Sequence, residues 1–164
     1  MKVEMKTSKV ILTIIVALVY VAGYVGILEM MHSPAVWYGL LLLWYWGMEK
    51  NAGVKPLLYE IVPGSLTGLV IALLLTELPN QFSTFGVISA AIMLISVLFC
   101  SFTGRYKNWI NGATFLTMTV TTAQALSYGT GFTDYIKIII VAAVYMGLPG
   151  LIKYNRSREA IKEV

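Results

Sequence analysis

Hydroxyl and amide side chains recur along one long apolar stretch, NGATFLTMTVTTAQALSY. They follow one another at intervals of three or four residues, which places them on one face of a helix: Asn111, Thr114, Thr117, Thr121, Gln124 and Tyr128. Such a face can hydrate a path for a small neutral solute, because it offers replacement hydrogen bonds without charge. It can equally hold two helices together at ~0.6 kcal/mol per bond, so both interpretations stand.

A second polar feature interrupts another apolar stretch, LLYEIVPGSLTGLVIALLLTELP. Pro63 has no amide hydrogen, so the carbonyl of Tyr59 is predicted to lose its helical partner beside the Glu60 carboxylate. The result is either a polar pocket on a solute path or a kink for packing, with Gly64 and Gly68 forming a small-xxx-small pair for a close helix crossing. The remaining hydroxyl candidates for a solute path are Ser65, Thr67, Ser89 and Ser96.

Other reactive residue types are sparse. The single cysteine, Cys100, has no partner in the sequence for a disulfide or a metal site. The single histidine, His32, follows Glu29 at a helical spacing; an interfacial polar residue is the simpler interpretation and a pH sensor the alternative. Because a second histidine and a Ser-His-Asp set are missing, the sequence predicts no enzyme, no metal site and no cofactor.

Composition sets the class of protein. Of the 164 residues, 58% are hydrophobic and 12% are charged, whereas soluble domains carry about 25% charged residues. The chain is therefore predicted to be one integral membrane domain, residues 1–164, and lipid favours an all-α helical bundle because open backbone groups cannot be satisfied there. The basic tail, residues 153–164, suits anionic lipid headgroups and not nucleic acid.

Six apolar stretches are predicted as membrane spans: 9–31, 34–48, 56–76, 84–103, 108–128 and 134–154. A span needs about 20 residues, and the second stretch is short, so it either crosses a thinned bilayer or enters and returns. Ser33 and Pro34 are predicted as its N-cap and first helical residue. Trp37 and Tyr38 are predicted as anchors at the membrane interface.

The basic residues support six crossings, because cytoplasmic segments hold the excess of lysine and arginine. They fall in four places, namely Lys2, Lys6 and Lys9, then Lys50 and Lys55, then Arg105 and Lys107, and finally Lys153, Arg156, Arg158 and Lys162. Both termini are therefore predicted to be cytoplasmic. Full crossing by 34–48 is favoured, since a re-entrant segment would scramble this pattern.

Over residues 36–125 the chain resembles a known family. The first motif, WYWGMEKNAGVKPLLYEIVPGSLTGLV, is a glycine-rich turn that leads into a helix with small residues. The second motif, CSFTGRYKNWINGATFLTMTVTTA, is the start of another helix and also contains a glycine. Both look like the small bacterial inner-membrane family typified by YcdZ, a domain of unknown function. That family tends to read Pro-Gly at the second entrance, where this chain has Asn111-Gly112. The resemblance implies a multi-pass protein of the bacterial inner membrane and no particular activity.

Two internal duplications fit the sequence. Alignment of 62–65 with 110–113 gives a same-direction repeat of two spans, offset by 48 residues. Division near 77–83 gives two three-span halves of opposite topology. The identities do not choose between them.

These features predict a small channel or facilitator for an uncharged polar solute. A homo-oligomer is expected, because six short helices leave little room for a pore within a single subunit. The scarcity of deep charges favours a passive path over an ion-coupled pump. The alternative is a non-transporting membrane subunit whose small-residue faces bind another protein.

Overall fold

The computed structural model describes residues 7–48, 54–128 and 131–162, with side chains described for 11–48, 54–123 and 131–149. Over these residues the chain is helical and has no strand. The elements are α1 (Thr7–Met30), α2 (Val36–Met48), α3 (Val54–Pro56), a π-helical turn (Leu57–Ile61), α4 (Val62–Phe102), α5 (Gly112–Tyr128) and α6 (Phe132–Lys162). The predicted all-helical architecture is confirmed.

Three described helical stretches are long and apolar enough to cross a membrane: Ile11–Met30, Val54–Phe102 and Phe132–Pro149. Their length and composition are those of a membrane protein. The loop lysine Lys50 and the lysines Lys2 and Lys6 lie outside the described residues. The basic tail is helical as far as Lys162, and its side chains also lie outside the described part of the chain.

The turn between α1 and α2 differs from the prediction for Ser33. The backbone N–H of Ser33 donates to the Leu28 carbonyl (3.2 Å) and that of His32 to the Glu29 carbonyl (2.9 Å). With a φ of 49° at His32, this is the Schellman arrangement that closes the C-terminus of a helix. The backbone of Ser33 therefore belongs to the end of α1. Its hydroxyl makes no hydrogen bond, and α2 begins only at Val36. The predicted N-cap at Ser33 is therefore wrong.

α4 is a hairpin of two arms. A straight helix over the 49-residue stretch Val54–Phe102 would be ~74 Å long, but the backbone at Ser83 is not helical (φ 47°, ψ −127°). Ile71 and Val97 belong to one apolar cluster, which requires the chain to reverse. We call residues 62–82 the first arm and residues 84–102 the second arm; they correspond to the third and fourth predicted stretches.

The reversal of α4 is tight at its apex. Gly86 on the second arm lies directly on the carbonyl of Leu78 on the first arm, where any side chain would clash. Pro79 follows at once and cannot donate a helical hydrogen bond. These residues explain why two apolar stretches with little polar sequence between them fold back on each other.

The first arm of α4 and α5 run parallel. Gly68 contacts Thr114, and one helical turn further along both helices Ile71 packs in one cluster with Met118. Since the third and fifth of six alternating spans are parallel in either form of duplication, the choice between the two repeats stays open.

α6 completes the bundle through one apolar face. Its buried residues recur at intervals of three or four, as expected for one side of a helix: Tyr135, Ile138, Ala142 and Met146. They share a core with buried residues of α1, α2 and the π-helical turn, namely Tyr24, Leu28, Tyr38, Leu42, Leu57 and Ile61. This core fixes α2 and α6 beside the first arm of α4.

Candidate functional site

Two glycines bring the first arm of α4 against α5. A methyl group at Gly68 would overlap the carbonyl oxygen of Thr114 and would lie 3.0 Å from Cβ of Thr117. A methyl group at Gly64 would meet the side-chain amide of Asn111. Both glycines are buried, so the small-xxx-small pair lies where two helix backbones approach closely.

Asn111 closes the N-terminus of α5 and ties it to the π-helical turn. Its Oδ1 accepts hydrogen bonds from the backbone N–H groups of Ala113 (2.9 Å) and Thr114 (3.4 Å), as an N-cap does. Oγ1 of Thr114 accepts from the Asn111 N–H (3.1 Å) and donates to the Trp109 carbonyl (2.7 Å). Nδ2 of Asn111 donates to the backbone carbonyl of Glu60 (2.8 Å). Both polar side chains are thus engaged in holding helix ends.

The π-helical turn lies immediately before Pro63. The N–H of Val62 donates to the Leu57 carbonyl, five residues back, so this turn is wider than an α-helical one. The carbonyl that bonds to a second helix is that of Glu60, next to the predicted carbonyl of Tyr59. The Glu60 side chain is half-buried, and the contact with α5 is made by its backbone.

Four hydroxyl side chains from three helices are buried inside the bundle, and we call them the hydroxyl seam: Tyr38 of α2, Ser65 of α4, and Thr117 and, one turn later, Thr121 of α5. All four are fully buried. The Tyr38 and Thr117 hydroxyls share a hydrogen bond of 3.0 Å. The Ser65 hydroxyl lies beside that of Tyr38, but neither Ser65 Oγ nor Thr121 Oγ1 has a bond of good geometry.

The unmade hydrogen bonds give the seam its chemical character. A buried hydroxyl without a partner costs about 1–3 kcal/mol. The hydroxyls of Tyr24 and Thr122 are buried without a partner as well, and Tyr24 Oη lies over Gly39, next to Tyr38. An uncharged polar molecule that entered the seam would form the hydrogen bonds that the bundle leaves open.

The seam is closed in this conformation. The described residues leave a cavity of about 10 Å³ beside Ser65, and its other walls are apolar side chains such as Leu42, Ile61 and Ile139. A cavity needs about 10–15 Å³ to hold one water molecule. A solute therefore requires a movement of the surrounding helices before it reaches the hydroxyls.

The other predicted path residues lie apart from the seam. Thr67 and Ser89 are half-buried, whereas Ser96 is exposed on the second arm of α4. The Ser96 hydroxyl donates to the Ile92 carbonyl of its own helix (2.8 Å), so it can face lipid without an open hydrogen bond. The side chains of Gln124 and Tyr128 lie outside the described residues.

Tyr38 is the site residue that the sequence analysis misassigned. Trp37 is 73% exposed, as an interfacial residue would be, but Tyr38 is fully buried. The Tyr38 ring meets Tyr135 of α6 edge-on, with centroids 5.4 Å apart. One sequence signal was available: Trp37 and Trp44 share one face of α2, and Tyr38 lies on a different face with Leu42.

Fold and site define a helical protein with apolar helices of membrane-spanning length, in which uncharged hydroxyls are buried between closely packed helices. No family model, no curated protein and no solved structure matches the chain.

Proposed function

We propose that this protein is a small membrane channel or facilitator for an uncharged polar solute, and that the hydroxyl seam is the part of the route inside the bundle. The observation that supports the proposal is the pair of fully buried hydroxyls, Ser65 and Thr121, that make no hydrogen bond of good geometry. Unpaired polar groups are costly in a membrane interior, where water cannot satisfy them. Binding of a solute that forms these missing hydrogen bonds would explain why Ser65 and Thr121 are buried there.

The chemistry of the seam favours a neutral solute. Hydroxyl groups both donate and accept hydrogen bonds, and the four seam side chains carry no charge. A bare ion would lose its hydration without a compensating charge, whereas a small polyol or amide would exchange water for hydroxyls.

The seam is bounded on one side by α2, whose contact with α5 is made by tyrosine side chains. α5 is fixed to the first arm of α4 by the Gly68 contact and by the Asn111 bond to Glu60. α2 meets α5 at the hydrogen bond between Tyr38 and Thr117 and at Gly112, against which the Tyr45 ring lies. In the proposed mechanism, displacement of the Tyr38 side chain opens the seam.

The proposal includes six crossings, both termini on the cytoplasmic side of a bacterial inner membrane, and assembly as a homo-oligomer. The reversal at Ser83 and the distribution of lysine and arginine support alternating crossings. In a Cys100→Ala background, a cysteine at Tyr106 is expected to react only from the cytoplasmic side and one at Asn80 only from outside. Reaction of both from the same side contradicts six crossings.

Swelling of proteoliposomes in urea, glycerol and erythritol tests the function. The double variant Thr117→Val and Thr121→Val keeps the branched side-chain shape but removes two seam hydroxyls, so the swelling rate is expected to fall. Thr119→Val on the exposed face of the same helix is the matched control and is expected to leave swelling unchanged. Equal swelling in all three proteins excludes the seam as the route.

A second function, a non-transporting membrane subunit, is favoured by the closed packing of the seam. Because Gly68 lies directly on the Thr114 carbonyl, the threonine face has a complete explanation as a helix contact. This function predicts no solute-dependent swelling and a partner protein that remains with the chain through purification. Solute-dependent swelling that the Thr119→Val control retains rules it out.

A further inference from the structure

A groove runs between α1 and α2 along the length of α2, from Trp37 near the turn to Gly47 near the end of the helix. It has a volume of about 500 Å³ and is lined by Ala17 and Tyr20 of α1 and by Trp37, Leu40, Trp44 and Gly47 of α2. It lies within the membrane-spanning part of α1, so hydrocarbon and not water borders it. It is distinct from the hydroxyl seam.

The groove lies beside a close contact between the two helices at Gly39. There, a methyl group at Gly39 would lie 2.6 Å from Leu28 Cδ1 and 2.9 Å from Tyr24 Oη, so the helices are in close contact. Farther from the turn, residues 11–19 of α1 are all exposed. Large side chains such as Trp44 line the opening without filling it.

The dimensions of the groove decide between a lipid chain and a protein helix. The lining residues of α2 extend over about 15 Å of helix, which gives a mean cross-section of about 33 Å² for the volume of the groove. That section is about 6 Å across, whereas a helix with its side chains is ~10–12 Å wide. A single extended hydrocarbon chain fits and a helix from a second copy does not.

The charge at one end of the groove indicates the headgroup. Lys9 lies eleven residues before Tyr20 in the continuous helix α1, a spacing that returns to the same face about 16 Å farther along. α1 and α2 run antiparallel from their turn, and α1 is the longer helix, so Lys9 lies about 12 Å beyond Ala17, where the groove ends on α1. Lys6 precedes Lys9, and Lys50 follows α2 in the sequence. Lysines near a membrane surface attract anionic headgroups.

We infer that this groove binds one acyl chain of an anionic phospholipid whose headgroup lies near Lys9, in the first turn of α1. The apolar lining supplies contact with the chain, and the cationic end selects the headgroup. The site is independent of solute passage, so it stands or falls separately from the proposed function.

Fluorescence quenching by brominated lipids tests this inference in the full chain. A Trp109→Phe background leaves only the tryptophans of α2: Trp37, Trp44 and Trp46. In equimolar vesicles of phosphatidylcholine and phosphatidylglycerol, bromine is placed on the chains of one lipid at a time. Brominated phosphatidylglycerol is expected to quench about fivefold more strongly, the preference that one lysine gives near an anionic surface. Equal quenching by the two lipids contradicts the inference, and so does the absence of quenching by either.

Two variants locate the effect. Ala17→Phe fills the groove from an exposed position and is expected to abolish the preference for phosphatidylglycerol, whereas Ala91→Phe, at an exposed position of the second arm, keeps it. Lys9→Gln is expected to equalise the two lipids while quenching itself persists. A preference that survives both Ala17→Phe and Lys9→Gln overturns the assignment to this groove.

Discussion

Two helix pairs in this bundle are held together in opposite ways. Between the first arm of α4 and α5, Gly68 touches the Thr114 carbonyl and Asn111 bonds across to the Glu60 carbonyl. Between α1 and α2, Gly39 touches Leu28 and Tyr24, and beside this contact a groove of about 500 Å³ remains open. The first pair is close and polar, and the second is open and aromatic.

The difference shows how small residues act in an apolar environment. In lipid the hydrophobic effect does not drive helices together, so close backbone contact and hydrogen bonds must stabilise their association. Where the chain carries Gly64, Ser65 and Gly68, the helices meet and bury hydroxyls. Where it carries Trp37 and Trp44, the helices stand apart and leave space for lipid.

Gly68→Leu is expected to have the largest effect on this comparison. The new side chain would collide with the backbone carbonyl of Thr114, which cannot rotate away. We expect the free energy of unfolding in detergent to fall by about 3 kcal/mol or more, measured by titration with sodium dodecyl sulfate. Gly26→Leu on α1 is the matched control, since nothing lies within 4 Å of that position. Equal losses in the two variants would contradict the contrast between the helix pairs.

Asn111→Ala is expected to have the next largest effect. It removes both the N-cap of α5 and the bond to the Glu60 carbonyl, and a cap alone contributes about 0.5–2 kcal/mol. We expect a loss of about 2 kcal/mol in the same titration. Asn111→Asp keeps the cap acceptor but lacks the Nδ2 donor, so about half of that loss is expected to remain. Asn108→Ala, at an exposed loop position, is expected to change the stability by less than about 0.5 kcal/mol.

The sequence was sufficient for the helices and for three of the four seam residues, Ser65, Thr117 and Thr121. Continuous apolar stretches locate each described helix, and the three- and four-residue spacing correctly places Thr114, Thr117 and Thr121 on one face, which the structure buries. Local patterns predict such faces because the residues on one side of a helix recur with a single period. The spacing of Gly64 and Gly68 likewise anticipates a close crossing, which the structure shows against α5.

The partner of the threonine face was not accessible from local patterns. Tyr38 bonds to Thr117 across 79 positions of sequence, and its burial depends on the position of Tyr135 on α6. The side chain of Ser33 illustrates the same limit: its residue type suits an N-cap, but its backbone is used to close the preceding helix. Contacts with distant segments decide the position of Tyr38, and backbone bonds within the preceding helix end decide that of Ser33, so residue type alone predicts neither.

Thr117→Val and Thr121→Val, made singly, are expected to change stability in different directions. Thr117→Val breaks the bond to Tyr38 and leaves the tyrosine hydroxyl with only the poorly aligned Ser65 hydroxyl beside it, so a loss of about 1 kcal/mol is expected. Thr121→Val removes a hydroxyl that has no partner, so stability is expected to stay constant or rise slightly. A clear loss at Thr121 would mean that its hydroxyl is bonded in the membrane. The chemical unfolding titration used above measures both.

The smallest expected effect concerns the tyrosines that fasten α1 to α6. Tyr20 Oη donates to the Tyr145 carbonyl (3.1 Å) and Tyr145 Oη to the Tyr20 carbonyl (2.7 Å), with ring centroids 4.6 Å apart. Phenylalanine at either position keeps the ring contact and loses one bond, so each variant is expected to cost about 0.6 kcal/mol. Because each bond joins one hydroxyl to a backbone carbonyl that the other substitution leaves in place, the two losses are expected to add in the double variant.

Tyr59→Phe provides the control for these two variants, since Tyr59 is 65% exposed, and we expect no change in stability from it. A loss at Tyr20 as large as that of Asn111→Ala would contradict the comparison, because α1 would then be held as firmly as α5. A double variant that loses much more than the sum would show that the two hydroxyls act as one unit. With additive and small losses, α1 is held chiefly by its turn and by aromatic contact, which leaves its far half free to border lipid.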